Sequence, residues 1–535
     1  MKNFFKKYFL LITLTIQPLL DVFAYFSMGT SLDIIPFAIR SLILLIFTMY
    51  ILKKEFHNKK YWIFLITIFF LFLLHVASSY INGYINFYKD LNAFIRYSYM
   101  PIFAVDFYYC IKDNPLRIEQ LKKGIVANVI MIFCIILINI CCGNIVHTYA
   151  EGVGLRGWFY NSNSQSLILG VCVPYSIYYI CFEKKYNIII RTISYIIGFF
   201  LLYSNGTTTT YIMLIFTFLL TSYFYLVDKN VKFNKLINVF LTSFFLILSL
   251  IFYNYSPNKK INDIEKKSYG MTSESFESFK NNDDVDFNNM TSHKDETKEN
   301  NDIFNKNDTI NNNESSNKNN MIKNNESSNK NNMIKNNESS NKNNMIKNNE
   351  SSNEIALSIE TRKKHSIIDY YFDKSFIKDY GYDKILNVIG EDFDYQHFVD
   401  NRYRKRLVAE VIFRDSNIFT KMFGFEFTQI KQYDTDLEND ISSIYYYYGY
   451  IGFVLFISFI FYVLFTGIKC FILNPKIILE SQFVILYALF CILILVSEFS
   501  GSMLNRPNAS IYMSVFAALI LSMYAKKGKS KWKKV

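Results

Sequence analysis

The chain has 535 residues, of which 51% are hydrophobic and 18% aromatic, and a formal net charge of +12. A soluble protein of this length spreads its apolar residues in periodic stripes over roughly two to four domains. Here they gather in runs of about 18 to 22 residues, the length a helix needs to cross the hydrocarbon, which excludes a soluble fold. The positive charge does not point to nucleic acid, because Lys and Arg fall mainly in short gaps between the runs, where they carry topology.

A backbone in lipid must satisfy its own hydrogen bonds, so each run is expected to be helical. No run alternates polar and apolar residues as a barrel strand would. In chain order the expected spans are Tyr8–Ser27, Ile34–Leu52, Tyr61–Tyr80, Ala93–Ile111, Ile125–Cys142, Ser164–Phe182, Ile188–Tyr203, Tyr211–Val227, Leu236–Tyr253, Tyr448–Ile468, Ile478–Ser497 and Ser510–Tyr524. Basic residues precede the first run, as in a signal peptide. No small-residue cleavage site follows and further spans come at once, so an uncleaved first helix is expected.

With this count, every short basic gap falls on one side: Lys53 to Lys60, Lys112 to Lys123, Lys184 and Lys185, Lys229 to Lys235, Lys469 and Lys476, and the Lys-rich tail. Basic gaps mark the cytoplasmic side. The expected fold is therefore all-α: a multi-pass cell-membrane protein of about 12 transmembrane helices, both termini cytoplasmic, with one large extracytoplasmic loop. The divisions are 1–253 (nine spans), 254–354 and 355–447 (the loop), and 448–535 (three spans and a basic tail).

Within the loop, about Ser256 to Asn353 is Asn, Lys, Ser and Glu with few apolar residues. The segment 312–323 recurs at 324–335 and 336–347. Its repeat offers only Met and Ile to pack, too little for a stacking solenoid, so a disordered insert is expected. From Ile355 the composition is globular again, with helical spacing over Leu407–Phe413 and a second short helix expected over Ser366–Phe376. The eight cysteines lie in or beside apolar runs, which argues against a disulfide-stapled outer domain and against a zinc site.

An enzyme on the outer face cannot use cytoplasmic nucleotides and needs a substrate already activated, such as a lipid diphosphate. That chemistry calls for cations to hold the diphosphate and a carboxylate or His to take the acceptor's proton. Arg402, Arg404, Lys405 and Arg406 form a basic cluster, with Arg414 two turns further along a helix. Guanidinium binds phosphate bidentately, and the competing reading is a solvated basic face or an anchor to anionic headgroups. Glu438 and Asp440, after Asp434 and Asp436, are general-base candidates at the entrance to the tenth span, or else caps of that helix. The Asp-x-Asp pairs at 392–394 and 434–436 are chance-level matches to a metal motif, so no metal site is expected. Arg156 offers a second phosphate contact or an interfacial anchor beside Trp158. Asp21 and Arg40 read as a structural ion pair across the first hairpin. Glu498 and Arg506 flank the last outer turn, and His75 and His147 read as structural or surface residues.

Four segments carry a likeness: Gln17–Asp21 with Pro36–Arg40, Arg156–Asn163, Arg402–Phe425, and Glu438–Asp440 followed by Tyr448–Gly452. In these the chain resembles the bacterial O-antigen ligase and O-antigen polymerase (Wzy-like) membrane proteins, in the form found in low-GC Gram-positive bacteria. The resemblance implies a metal-independent, cofactor-free glycosyl transfer on the outer face. Its substrate would be a glycan on undecaprenyl diphosphate, and its partners the bilayer and other polysaccharide-assembly proteins, not nucleic acid. It further implies an outer-loop Arg on the diphosphate and a His near the tenth or eleventh span as base. Here Glu438 stands at the His position, with Glu438 or Asp440 as the substitute, and Asn205–Thr210 lacks the Arg that many members carry in that turn. A lipid-linked-oligosaccharide flippase is the alternative; it predicts matching inverted halves, which are not visible in the sequence. A receptor or scaffold would not need guanidinium and carboxylate groups beside the membrane.

Cysteines placed singly along 355–447 should react with an impermeant thiol reagent from outside intact cells. Reaction only after the cells are opened would overturn the topology.

Overall fold

The computed structural model describes residues 2–83, 86–112, 114–184, 186–227, 235–264, 266, 361, 364–390, 398, 401–433, 437, 439–473, 480–499 and 504–532. Contacts divide the chain into two compact units, 1–291 with 399–535, and 292–398.

The first unit is a helix bundle with no strand among the described residues. Its helices are α1 (Lys2–Thr15), α2 (Gln17–Ser27), α3 (Ile35–Lys54), α4 (Lys59–Ile81), α5 (Phe87–Ile111), α6 (Pro115–Cys141), α7 (Ser162–Tyr178), α8 (Ile188–Asn205), α9 (Thr208–Val227) and α10 (Lys235–Ile251). Residues 401–433 add α11 (Asn401–Asp415), α12 (Ile418–Phe423) and α13 (Phe427–Lys431), and α14 (Asp440–Leu473), α15 (Ser481–Phe499) and α16 (Pro507–Trp532) complete the unit. Side-chain caps start several helices: the amide oxygens of Asn58, Asn86, Asn114, Asn161 and Asn187 accept first-turn N–H groups.

Eleven helical segments among the described residues are long and apolar enough to cross a membrane. Each coincides with an expected span. The remaining expectation, Ala93–Ile111, falls on α5, which has the length but carries Lys89, Asp90, Arg96 and Asp106. A helix surrounded by protein can hold such groups where a lipid-facing one cannot. Accordingly the Asp106 carboxylate accepts from Tyr61 Oη at 2.6 Å and Thr48 Oγ1 at 2.8 Å. The most enclosed spans are Ser162–Glu183, 94% buried, and Pro507–Ala525, 78% buried; Lys59–Ile81, 17% buried, lies at the periphery.

The two ends of the bundle differ in chemistry. At one, the basic gaps are cross-linked: Lys112 to Glu55 (2.9 Å), Lys122 to Glu183 (2.7 Å), Lys184 to Glu119 (2.5 Å), and Lys54 Nζ to the Tyr109 carbonyl (2.6 Å). At the other, termed the loop end, the chain between α6 and α7 meets the α8–α9 turn, where Leu155 N–H donates to Ser204 O (2.7 Å) and Thr148 Oγ1 to Asn205 O (2.6 Å). The segment 417–431 is sewn to α4 and α5 at this same end. Ser78 Oγ donates to Gly424 O (2.6 Å), Asn82 Nδ2 to Thr420 Oγ1 (2.5 Å) and Gln429 Nε2 to Asn82 O (3.2 Å). These bonds explain why 401–433 belongs to the membrane unit.

The helix α14 is two helices meeting at Gly449, whose φ is +62°. The preceding turn at Gly424, φ +81°, lies against it. A Cβ on Gly424 would sit 2.0 Å from the Tyr447 carbonyl oxygen, and one on Gly449 would sit 2.6 Å from the Gly424 nitrogen. Only glycine permits both the dihedrals and the approach.

In the second unit, a helix over 364–371 is followed by another over Lys374–Ile389. The single short helix expected over Ser366–Phe376 is interrupted because Asp373 leaves the helical path to cap the second, accepting Ser375 N–H at 2.7 Å. Phe372 packs on Phe376 and Phe398, with ring centroids 5.8 and 6.0 Å apart. The repeats at 312–347 lie outside the described residues.

Gly424→Ala and Gly449→Ala should each lower the melting temperature of the detergent-purified protein well below that of Gly29→Ala. At Gly29, φ +74°, no atom lies within 4 Å of a new Cβ, so only the backbone penalty of roughly 1–2 kcal/mol applies. Equal losses at all three would refute the close approach.

Candidate functional site

The basic cluster lies on α11, whose Leu407, Val408, Ala409, Val411, Ile412 and Phe413 are buried while Arg406 and Arg414 are exposed and Arg402 and Arg404 half-buried. The apolar face explains why this strongly charged segment is helical and bound to the bundle. Phe413 packs against Tyr445, Tyr446 and Tyr450 at the entrance of α14, with centroids 5.0, 5.7 and 5.5 Å away. Glu410 ties the same junction: one carboxylate oxygen accepts from Arg414 Nε at 2.6 Å and the other from Tyr446 Oη at 2.8 Å. The Arg406 charge reaches Tyr446, and its guanidinium lies 6.0 Å from the Tyr403 ring centroid. Arg406 and Arg414 are thus held beside the point where the chain enters the tenth expected span.

Arg156 comes to the loop end by a different route. Its backbone N–H donates to Val146 O (3.0 Å), and its carbonyl accepts from Gln165 Nε2 (2.8 Å). Gln165 Oε1 in turn faces Asn205 Nδ2 at 3.4 Å, and Asn205 Oδ1 accepts from Ser166 Oγ at 3.0 Å. The turn that lacks arginine is therefore a buried amide–hydroxyl cluster supporting the Arg156 loop. Burial pushes the Arg156 guanidinium below its usual range, Tyr25 partly offsetting this, and its Nε has no hydrogen-bond partner. Trp158 lies against Phe26, with centroids 5.5 Å apart.

The pair expected across the first hairpin is present, with Arg40 Nη2 2.7 Å from Asp21 Oδ1. Asn508 Nδ2 also donates to Asp21, at 3.1 Å, and the Arg506 charge acts on it. Asp21 therefore joins the hairpin to the start of α16. Arg506 Nε is buried without a hydrogen-bond partner, and Glu498 Oε1 accepts from Ser442 Oγ at 3.2 Å.

The two carboxylate candidates differ in what can be said of them. Glu438 lies outside the described residues, as do Asp434, Asp436 and the pair at 392–394. Asp440 is fully buried, and its oxygens accept the backbone N–H groups of Leu504 (2.8 Å) and Asn505 (3.3 Å). It fastens the start of α14 to the turn before α16.

A model of O-antigen ligase-like membrane proteins matches residues 2–526. The chain belongs to this family. No curated protein and no solved structure matches it. Membership makes the chain a membrane enzyme of a group that acts on lipid-linked glycans. His75, expected to be a structural or surface residue, is fully buried, 3.0 Å from Asp90 and 3.0 Å from the Phe423 carbonyl. The available signal was an ionisable residue inside an apolar run, which usually has a partner or a task.

Asp440→Ala leaves two buried N–H groups without their acceptor and should destabilise the protein by about 1–3 kcal/mol, with Asp440→Asn losing less. Thermal unfolding in detergent reads this, and an unchanged midpoint for the alanine variant would remove the anchoring role.

Proposed function

We propose that this protein is a metal-independent glycosyltransferase that polymerises or ligates glycan carried on undecaprenyl diphosphate at the outer face of the membrane. The observation that carries the reading is the pair Arg406 and Arg414 held at the entrance of α14, in a chain whose family acts on lipid-linked glycans. The basic, ion-paired end suits the cytoplasm, with both termini there, and the loop end suits the outer surface.

In this reading Arg402, Arg404, Arg406 and Arg414, with Arg156 from the α6–α7 loop, neutralise the diphosphate. Guanidinium remains charged and matches phosphate oxygens in pairs. The partly desolvated Arg156, whose Nε has no partner in the protein, suits an anionic ligand. Glu438 takes the proton of the acceptor hydroxyl. The acceptor oxygen then bonds to the anomeric carbon as the bond from that carbon to the diphosphate oxygen breaks. Undecaprenyl diphosphate leaves with the electron pair, its added charge met by the arginines. Of the two base candidates Glu438 is preferred, because the Asp440 oxygens already accept two backbone amides, and Asp440 then positions its neighbour. Other polysaccharide-assembly proteins deliver or receive the glycan.

Glu438→Gln should abolish glycan extension while the protein still reaches the membrane. Arg406→Gln should slow extension by roughly ten- to a thousandfold. Both are read by the chain-length distribution of lipid-linked glycan, and unextended units should accumulate on the outer face. Normal chain length in Glu438→Gln would remove the base, and accumulation on the inner face would favour a flippase instead.

A further inference from the structure

Three buried N–H groups at the loop end have no hydrogen-bond partner: Arg156 Nε, Trp158 Nε1 and Arg506 Nε. All three are donors, and neither guanidinium nor indole can accept. The two segments that carry them lie far apart in the chain, yet both meet the outer half of α2. Tyr25 acts on the Arg156 charge, and the Trp158 ring lies against Phe26, with centroids 5.5 Å apart. The Arg506 charge acts on Asp21, one turn before Tyr25 on the same face of that helix. Both segments are fixed from behind. Gln165 Nε2 donates to the Arg156 carbonyl, and Asn508 Nδ2 donates to the two Asp21 oxygens at 3.1 and 3.2 Å. A cleft lined by Pro18, Asp21, Phe159, Gln165 and Tyr512 lies among the same elements.

The charges gathered here do not cancel. Asp21 is the carboxylate that the Arg506 charge reaches, and it is already bonded to Arg40 at 2.7 Å. What acts on the Arg156 charge among the described residues is the Tyr25 hydroxyl and no carboxylate. Desolvated cations with unused donors are unfavourable until something supplies both acceptors and negative charge. A sugar hydroxyl or a carbonyl would satisfy a donor and leave the charge. A phosphoryl group supplies both, and guanidinium meets its oxygens in pairs.

We propose that Arg506, with Arg156 and the Trp158 indole, forms a subsite for a phosphoryl oxyanion of the lipid substrate, seated over the Asp21–Tyr25 face of α2. That the lipid is a polyprenyl diphosphate rests on the function proposed above. The turn before Arg506 also binds α14, because Leu504 and Asn505 donate their N–H groups to Asp440. Arg506 is thereby tied to the helix whose entrance holds Arg406 and Arg414.

The probe is farnesyl diphosphate, a short polyprenyl diphosphate, titrated calorimetrically into the full-length protein in phosphatidylcholine nanodiscs. Wild type should bind it. Arg506→Gln and Arg156→Gln should each weaken binding roughly ten- to a hundredfold, and Trp158→Phe, which keeps a ring against Phe26, roughly tenfold. Arg506→Lys should recover part of the loss. The double arginine variant should lose less than the product of the single losses, because both residues hold one anion. Removing an unneutralised cation should leave the ligand-free melting midpoint no lower than that of wild type. The assignment is overturned if Arg506→Gln binds the probe as wild type does, if the single losses simply multiply, or if Arg506→Gln lowers the midpoint, which would make the residue structural. Two further arms identify the source of the phosphoryl group. Binding that vanishes when phosphatidylglycerol replaces phosphatidylcholine would make a headgroup the occupant, and inorganic diphosphate binding as tightly as the farnesyl ester would make it a free anion; either result overturns the assignment to the lipid substrate. If the variants lose affinity as expected while wild type extends no glycan, the glycosyltransferase reading fails and the subsite stands. If extension needs Arg406 and Glu438 but not Arg506, the subsite fails and the reading stands.

Discussion

Where Gly424 lies on Gly449, two backbones approach so closely that neither residue can carry a side chain, and much of the loop end is arranged around that contact. The bend at Gly449 separates the short helix Asp440–Tyr448 from the membrane-crossing part of α14. The short helix meets α11 on one side, through Phe413 and Glu410, and the turn before α16 on another, through Asp440. Gly424 is in turn held by Ser78, so the bend is referred back to α4.

The buried polar groups follow a common rule. Several buried carboxylates join segments far apart in the chain: Asp21 with Arg40 and Asn508, Asp106 with Tyr61 and Thr48, Asp90 with His75 and Phe427. Inside a membrane-embedded bundle there is little water to satisfy such groups, so a pairing that forms also specifies which helices adjoin. The exposed helix faces, by contrast, are almost wholly apolar and specify little beyond being in lipid. Tertiary specificity is therefore concentrated in a small number of polar contacts, most of them toward the loop end.

This arrangement places two kinds of cation at the same end by independent means. The arginines of α11 arrive on an amphipathic helix docked by its apolar face. Arg156 arrives on a loop held by backbone bonds and by the Gln165–Asn205 amides. The turn 205–210, which carries no arginine, supports the loop that carries Arg156. No histidine stands near the tenth expected span, yet His75 from the third reaches the turn beside it, with both nitrogens occupied and no exposure to solvent. Its surroundings suit holding the segment in place and leave no nitrogen to take a substrate's proton.

By itself, the amino-acid sequence determined the helical class, the positions of the spans, the helix beneath the Arg402–Arg414 cluster and the Asp21–Arg40 pairing. Each of these follows from local periodicity, from the length of apolar runs, or from the high penalty on a lone charge in lipid. The polar α5 was legible as a helix but not as an enclosed one, because enclosure depends on neighbours. The division at 398/399 was not legible either: residues 401–433 have the composition of a surface loop and join the membrane unit through contacts with α4, α5 and α14. Nor could the sequence show that Asp440 faces backbone amides of residues 504 and 505, or that His75 meets Asp90 and Phe423. Those partners lie 64, 65, 15 and 348 residues away. Which of many polar groups meets which is decided by how the helices pack, and no local pattern carries that information.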